Sequence, residues 1–470
     1  MEKKYYTTIG LEIHAELNTL SKMFCGCKND PEEERPNYNI CPVCMAHPGT
    51  LPVPNKKAME SVVRVGMVLG GTIADFTEFD RKNYFYPDIP KAYQISQLKY
   101  PIVKGGKLAG VDVTRVHLEE DTATSSHKAG ASLVNFNRGG VPLMELVTEP
   151  VIHDTDTLVK FAKELQLVLR YLGVSDANME KGQMRVEVNI SVSPDKDKLG
   201  VPVEVKNIAS FRSAEKAALF EEKRMIALWE EGKESEIVKE TRGWDDDKNK
   251  TFSQRTKETA EDYRYLPDPD LSKFYLSKVF DMEALKNTIP ELPEGKRMRY
   301  VNDYGIKAED IESYVTDIEL GSYFENVAKI LNNKDAIKTA SNYITSDYLG
   351  LKKANVNIKL PSAENFAELI SMAVEGKINS RSAKDILAMI VTLDASPMQI
   401  ATEKDMLQKN DEGALKEMAQ KVIDANPEVV ATFKGGKDNA LMSLVGQIMK
   451  ESKGSANPAM VQKILRELLA

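Results

Sequence analysis

All four cysteines of the chain fall within one stretch of twenty residues: Cys25, Cys27, Cys41 and Cys44. Two close pairs, each on a tight turn, can converge on one tetrahedral ion with Zn–S bonds of ~2.3 Å. The thirteen residues between the pairs are polar and proline-bearing, as a loop stapled by a metal should be. Zn2+ held by four thiolates would be structural, because no ligand position stays open. Two disulfides are the rival reading, which a reducing compartment disfavours. With every cysteine used this way, none remains as a nucleophile.

A second constellation is acidic. In Ile9–Glu16 the alternation sets Glu12, His14 and Glu16 on one strand face and Leu11 and Ile13 on the other. Arg115–Asp121 and Val141–Glu149 add further histidine and carboxylates. Such donors suit a hard or borderline divalent cation, Mg2+ or Mn2+, completed by water or phosphate oxygens. Each segment alone also reads as a surface strand; three of them within 150 residues set the metal reading beside that one. Counting by twos from His117 favours Glu119 or Asp121 on the histidine's face.

Arg185–Val192 alternates more cleanly, with Arg185, Glu187, Asn189 and Ser191 on one face, and Val203–Asn207 can pair with it, adding Glu204 and Lys206. Such a polar face meets solvent or floors a wet cleft, and the pattern alone leans to solvent. Phe79–Gln97 packs Arg81, Lys82 and Lys91 among five aromatics, which suits either a phosphate-and-base pocket or rigid packing. No P-loop and no strand-linked G-x-G-x-x-G is present, so a bound nucleotide would use another scheme.

These residues need elements to hold them. Strand patterns at Thr8–His14, Val111–Val113, Arg185–Val192 and Val203–Lys206 dominate as far as about residue 290. Two helices, Asn55–Leu69 and Thr155–Leu172, interrupt them, while Gly105-Gly106 and Ser193–Gly200 read as hairpin connections. Beyond Pro293 the pattern turns helical, with Ser380 expected to cap Arg381–Val391 and Asn457-Pro458 to open the last helix. The fold class expected is α+β, with boundaries near 290 and 400. The 470 residues carry 42% hydrophobic and 29% charged residues, with a net charge of −8, as in a globular protein without a global field for polyanions. The apolar runs are shorter than a membrane span, and the N-terminus has no secretory pattern, so the expected location is cytoplasmic.

Longer stretches carry a family resemblance. IGLEIHAEL (9–17), CPVC (41–44), FDRKNYFYPDIPKAYQISQ (79–97), HLEED (117–121), NRGGVPLMELVTEP (137–150), EVNISV (187–192), ETR (240–242), the segment 255–270 and LVGQIMKESKGSANP (444–458) run in order along nearly the whole chain. Together they resemble the GatB subunit of the glutamyl-tRNA(Gln)/aspartyl-tRNA(Asn) amidotransferase, the GatCAB complex. The resemblance implies that ATP and Mg2+ serve to phosphorylate the side-chain carboxylate of Glu or Asp on a misacylated tRNA. Ammonia then displaces the phosphate. It is supplied by a partner amidase (glutaminase) subunit, and a second, small partner subunit completes a heterotrimer. Neither DNA nor a membrane is implied as a partner.

Carried onto this chain, the resemblance implies Glu12, His14, Glu120 and Glu145 as catalytic metal ligands, with Glu119 held as substitute for Glu120. It implies Arg81, Lys82 and Lys91 as phosphate or substrate contacts. The implied layout is a cradle-shaped domain over 1–290 with the zinc insert 25–44, a helical domain over 291–400 and a tRNA-binding helical tail over 401–470. From 434 onward six cations, Lys434, Lys437, Lys450, Lys453, Lys463 and Arg466, face three acids, a modest phosphate-facing patch or a solvated helical face. The chain departs from the family pattern at Ala123, Thr124, Asn135, Val151, Glu187 and Ala209. A catalytically silent, zinc-containing tRNA-binding scaffold is the alternative function, and the acidic–histidine constellation is what would tell the two apart.

Overall fold

The computed structural model describes residues 4–128, 130–256, 263–408, 412–452 and 456–469. Part of the family-like segment 255–270, and Lys453, lie outside them. The chain divides into two compact units, Met1–Pro293 and Glu294–Ala470.

The first unit is built on a ten-stranded sheet. Its strands are β1 (Tyr6–Glu16), β2 (Thr72–Ile73), β3 (Val103–Lys104), β4 (Lys107–Leu108), β5 (Val111–Glu120), β6 (Pro142–Thr148), β7 (Met184–Ser193), β8 (Val203–Lys206), β9 (Glu240–Asp245) and β10 (Lys250–Thr256). Their order is β10-β9-β8-β7-β1-β6-β5-β3-β2, with β4 also paired to β5. Only β8 and β9 run parallel among these pairs. The N-terminal strand therefore lies inside the sheet, between β6 and β7.

Three helices cover one face: α1 (Lys56–Val68), α2 (Thr155–Tyr171) and α3 (Phe211–Glu230). Leu11, Ile13, Val186 and Val188 of the sheet join Val62 of α1, Phe161 of α2 and Ala217 of α3 in one buried cluster. Each large apolar side chain sealed there contributes ~1.5–3 kcal/mol. Alternation then leaves the opposite face of β1, β5, β6 and β7 to the polar residues. The helix starts are fixed by side-chain caps: Asn55 Oδ1 accepts from the N–H groups of Lys57 and Ala58, Asp154 from Thr157, and Ser210 from Ser213.

Three expectations change. A third helix, α3, occupies twenty residues read as strand-like; its inward face is built largely from Ala214, Ala217 and Ala218, which give a weak apolar signal. Gly105-Gly106 is not the hairpin turn. β3 and β4 pair with β5 in one register, the two glycines stay opposite Thr114 and Val113 within that arm, and the turn falls at Ala109-Gly110 with φ of +49° and +88°. The cap of the helix Ser380–Leu393 is Asn379, whose side chain accepts from the Ser382 N–H.

A separate three-stranded sheet, Asp80–Asn83, Tyr93–Ser96 and Leu266–Pro267, carries the basic–aromatic segment.

The second unit is helical. Tyr300, Tyr314 and Phe324 are fully buried, with Tyr314 stacked on Phe324 at 4.3 Å. Residues 415–469 contain a hydrophobic cluster that includes Leu415, Leu444, Ile448 and Ile464. On its surface Arg466 pairs with Asp438 at 2.9 Å, while Lys434, Lys437 and Lys450 are exposed. No helix among the described residues is long and apolar enough to cross a membrane.

Candidate functional site

The polar face of the sheet gathers the charged residues by register. His14 on β1 stands opposite Glu145 on β6, and Glu145 stands opposite His117 on β5. Directly opposed residues of antiparallel strands project from the same face, so the three side chains form a row. His14 Nε2 lies 3.3 Å from Glu145 Oε2, 3.5 Å from Glu119 Oε1 and 3.8 Å from Glu12 Oε1. Ligand atoms of His14, Glu119 and Glu145 fall within 4.8 Å of one another, and so do those of Glu12, His14 and Glu187. Two donor sets thus share one imidazole. Carboxylates around one imidazole fit a hard or borderline divalent cation.

The electrostatics are those of crowded carboxylates. Burial, then the charges of Glu145 and Glu187, push Glu12 up to about 7. Burial and the Glu145 charge also raise Glu119. Burial alone would lower His14, but the Glu145 hydrogen bond and the surrounding carboxylates outweigh it and bring the imidazole to about 9. His117 goes the other way, down to about 4, chiefly through burial. Glu145 is held well below the carboxylate range, since His117, His14 and Lys82 prevail over its burial. Burial likewise disfavours the Lys82 ammonium, yet neighbouring charges, Glu119 foremost, keep it above its ordinary value. Lys82 thus joins this cluster.

Glu120 does not. β5 keeps its alternation through Glu119, which opposes Leu143, so Glu120 falls on the other face beside Leu118. The shift of register between these strands lies at the far end, at Val147/Thr148. Glu120 instead pairs with Lys91 at 2.7 Å and accepts from the Ile95 N–H at 3.0 Å. Arg81 is held by Asp268 at 3.0 Å and Asp270 at 2.9 Å and lies over the Tyr93 ring. Of the three basic residues singled out in sequence, only Lys82 lies under the charges of Glu119, Glu145 and Glu12.

Sequence reasoning missed a charge network beside the cluster. Arg138 reaches Glu16 at 3.0 Å and Asp121 at 2.6 Å, and Arg185 reaches the same Asp121 at 2.8 Å. Lys206 pairs with Glu187 at 2.7 Å. The face of β7 is therefore not a free solvent surface at its Arg185–Glu187 end. Arg185 directly opposes His14 in the sheet register, but register between distant strands is not written in either strand alone.

The four cysteine sulfurs lie within 4.8 Å of one another, and none is in a disulfide. In a tetrahedron with Zn–S bonds of ~2.3 Å, sulfurs are ~3.8 Å apart, so the donor set fits. Cys25 and Cys44 also line a cavity of about 340 Å³ together with Arg81, Lys91, Tyr93 and Glu120. The cysteine lobe is thus one wall of the space that holds the Lys91–Glu120 pair.

Three of the departures sit at the margin. Asn135 pairs with Thr124 at the base of a two-stranded hairpin, where its Oδ1 accepts from the N–H groups of Asn37 and Asn137. Ala123 donates its N–H to the Asp88 carbonyl, and Val151 is exposed. None of these three belongs to the donor sets around His14, whereas a fourth departure, Glu187, is a member of one of them.

Comparison with known proteins agrees in both units. A family model described as the GatB/GatE catalytic domain matches residues 7–281, and one described as the GatB domain matches residues 322–469. The GatB subunit of the aspartyl/glutamyl-tRNA(Asn/Gln) amidotransferase of Helicobacter hepaticus is 41% identical across 99% of both chains. The proteins of the same name from Brevibacillus brevis and Campylobacter jejuni are each 40% identical, over 99% of this chain and 99% and 100% of theirs.

Proposed function

The chain belongs to the GatB family of tRNA amidotransferase subunits, and from that premise we propose that it carries out the ATP-dependent amidation of Glu-tRNA(Gln), Asp-tRNA(Asn) or both. The γ-phosphoryl group of ATP passes to the side-chain carboxylate, leaving ADP and an acyl phosphate. Ammonia then attacks the acyl carbon and expels the phosphate, which carries away the proton that ammonia loses, leaving the amide and inorganic phosphate. Activation is needed because a carboxylate does not react with ammonia.

The observation that carries this reading is the convergence of His14, Glu119 and Glu145 from three adjacent strands. With Glu12 they would hold Mg2+, which when bound neutralises charge on phosphate oxygens. Lys82 stands among the same carboxylates and would meet the transferring group. With no cysteine spare for glutamine hydrolysis, ammonia would come from the amidase partner, and the small partner would complete a cytoplasmic heterotrimer. The four cysteines would hold a structural Zn2+, and the helical tail would grip the tRNA.

The test is release of ADP from ATP by the chain co-expressed with its amidase and small partners, with and without each misacylated tRNA. Stimulation by either tRNA supports the kinase step and identifies the substrate. No stimulation by either, in a complex that still binds tRNA, would replace it with the silent scaffold.

A further inference from the structure

Lys22 is one of the largest fully buried side chains of the protein, at 1% exposure. Its ammonium donates to the Phe136 carbonyl at 3.0 Å. Among the described residues no carboxylate lies within ion-pair distance of it, whereas Lys91, Arg138 and Arg185 each have one. Burying an ammonium against a single neutral acceptor is costly, and a buried charge persists only where an opposite charge offsets it.

The surroundings of Lys22 supply a candidate. Its backbone N–H donates to the Cys27 carbonyl at 2.9 Å, which ties it to the first cysteine pair. Gly140, at φ +88°, marks its relation to the second: a Cβ there would lie 3.5 Å from Lys22 Cδ and 3.9 Å from Cys44 Cβ. Both side chains therefore flank one glycine, and both line the same cavity as Cys25. Four thiolates around one divalent cation leave two negative charges in a partly buried lobe.

We propose that Lys22 is the buried counter-cation of the four-cysteine centre and that its charge sets how tightly the metal is retained. The inference rests on reading the cysteines as a metal site. Such outer partners of metal ligands are worth ~10–100-fold in metal affinity. Lys22 also links the lobe to the segment carrying Arg138, through Phe136 and through the Met23 N–H, which donates to the Gly140 carbonyl at 2.7 Å.

The experiment compares wild type with Lys22→Arg, Lys22→Gln and Lys22→Met, each purified with its partner subunits. Zinc content is read by elemental analysis, and zinc release is timed with a chromophoric chelator. Lys22→Arg should hold zinc like wild type, while the Gln and Met variants release it at least ~10-fold faster. Glutamine can still donate to the Phe136 carbonyl, so a Gln variant that retains zinc like wild type overturns the proposal. If neither neutral variant folds but the Arg variant does, the requirement for charge is upheld; if the Arg variant fails with them, it is rejected. Wild type that carries no zinc would refute the metal site itself, an outcome distinct from either.

Discussion

Glu145 and His14 face one another across β6 and β1, with Glu145 Oε2 3.3 Å from His14 Nε2. The same oxygen lies 3.6 Å from His117 Nε2, and the other carboxylate oxygen is 3.4 Å from the Arg115 guanidinium. Glu145 is therefore fixed from three sides. Removing His14 takes away both a donor and the charge that balances Glu12, Glu119 and Glu145. His14→Ala should lower tRNA-stimulated ADP release by at least ~100-fold, the scale of losing one group that stabilises transferring charge. Its affinity for tRNA should be nearly unchanged in a filter-binding assay. Turnover at the wild-type rate would remove His14 from the ligand set.

Glu119 and Glu120 are neighbours in sequence on opposite sides of the sheet. Mn2+ binding, followed by its electron paramagnetic resonance signal, separates them. Glu119→Gln should weaken it by ~10-fold or more, while Glu120→Gln should leave it intact because that side chain serves Lys91. The reverse order would mean that β5 slips its register when the cation binds.

The carboxylate–histidine cluster holds protons that a bound cation would displace. With His14 at about 9 and Glu12 at about 7, both are substantially protonated below neutrality. Cation affinity should therefore rise with pH through 7 and on toward 9, then level off. Calorimetry in two buffers of different ionisation enthalpy should show protons released at pH 7. An affinity that falls over this range would contradict the proton inventory.

Zinc removal tests the separation of lobe and site. Chelation should raise hydrogen exchange over residues 25–44 while the complex still binds ATP. Immediate and complete loss of ATP binding would show that the wall shared by Cys44 and Glu120 does more than enclose space.

The Asp154 cap of α2 gives a stability control outside the site. Its Oδ1 accepts from the Thr157 N–H at 2.7 Å. Asp154→Ala should destabilise the first unit by about 1 kcal/mol in urea unfolding, with activity per folded molecule retained. An unaltered midpoint would mean that α2 starts equally well without the cap.

The parts of the fold that were legible in the sequence are those with a local period. β1 and β7 alternate, α1 and α2 repeat at three and four, and the cysteine pairs announce themselves by spacing. Alternation from His117 also points to Glu119 or Asp121 without knowledge of any pairing, whereas the family resemblance favours Glu120. Helix α3 was lost because alanines on its inner face carry little hydrophobic contrast. The Arg138–Asp121–Arg185 network was illegible for another reason: its members come from separate segments, joined only by strand order.

That order also bears on synthesis. β1 leaves the ribosome ahead of the other strands of its sheet, yet both of its hydrogen-bonding edges wait for partners made far later, β6 at 142–148 and β7 at 184–193. Until β7 has emerged, a strand bearing Leu11 and Ile13 lacks at least one of its two neighbours, the condition in which nascent chains pair wrongly or aggregate. The carboxylate–histidine cluster thus has no complete early half: a prematurely ended product that stops before β6 would carry Glu12 and His14 without their partners, and would be a target for chaperones rather than a weak enzyme.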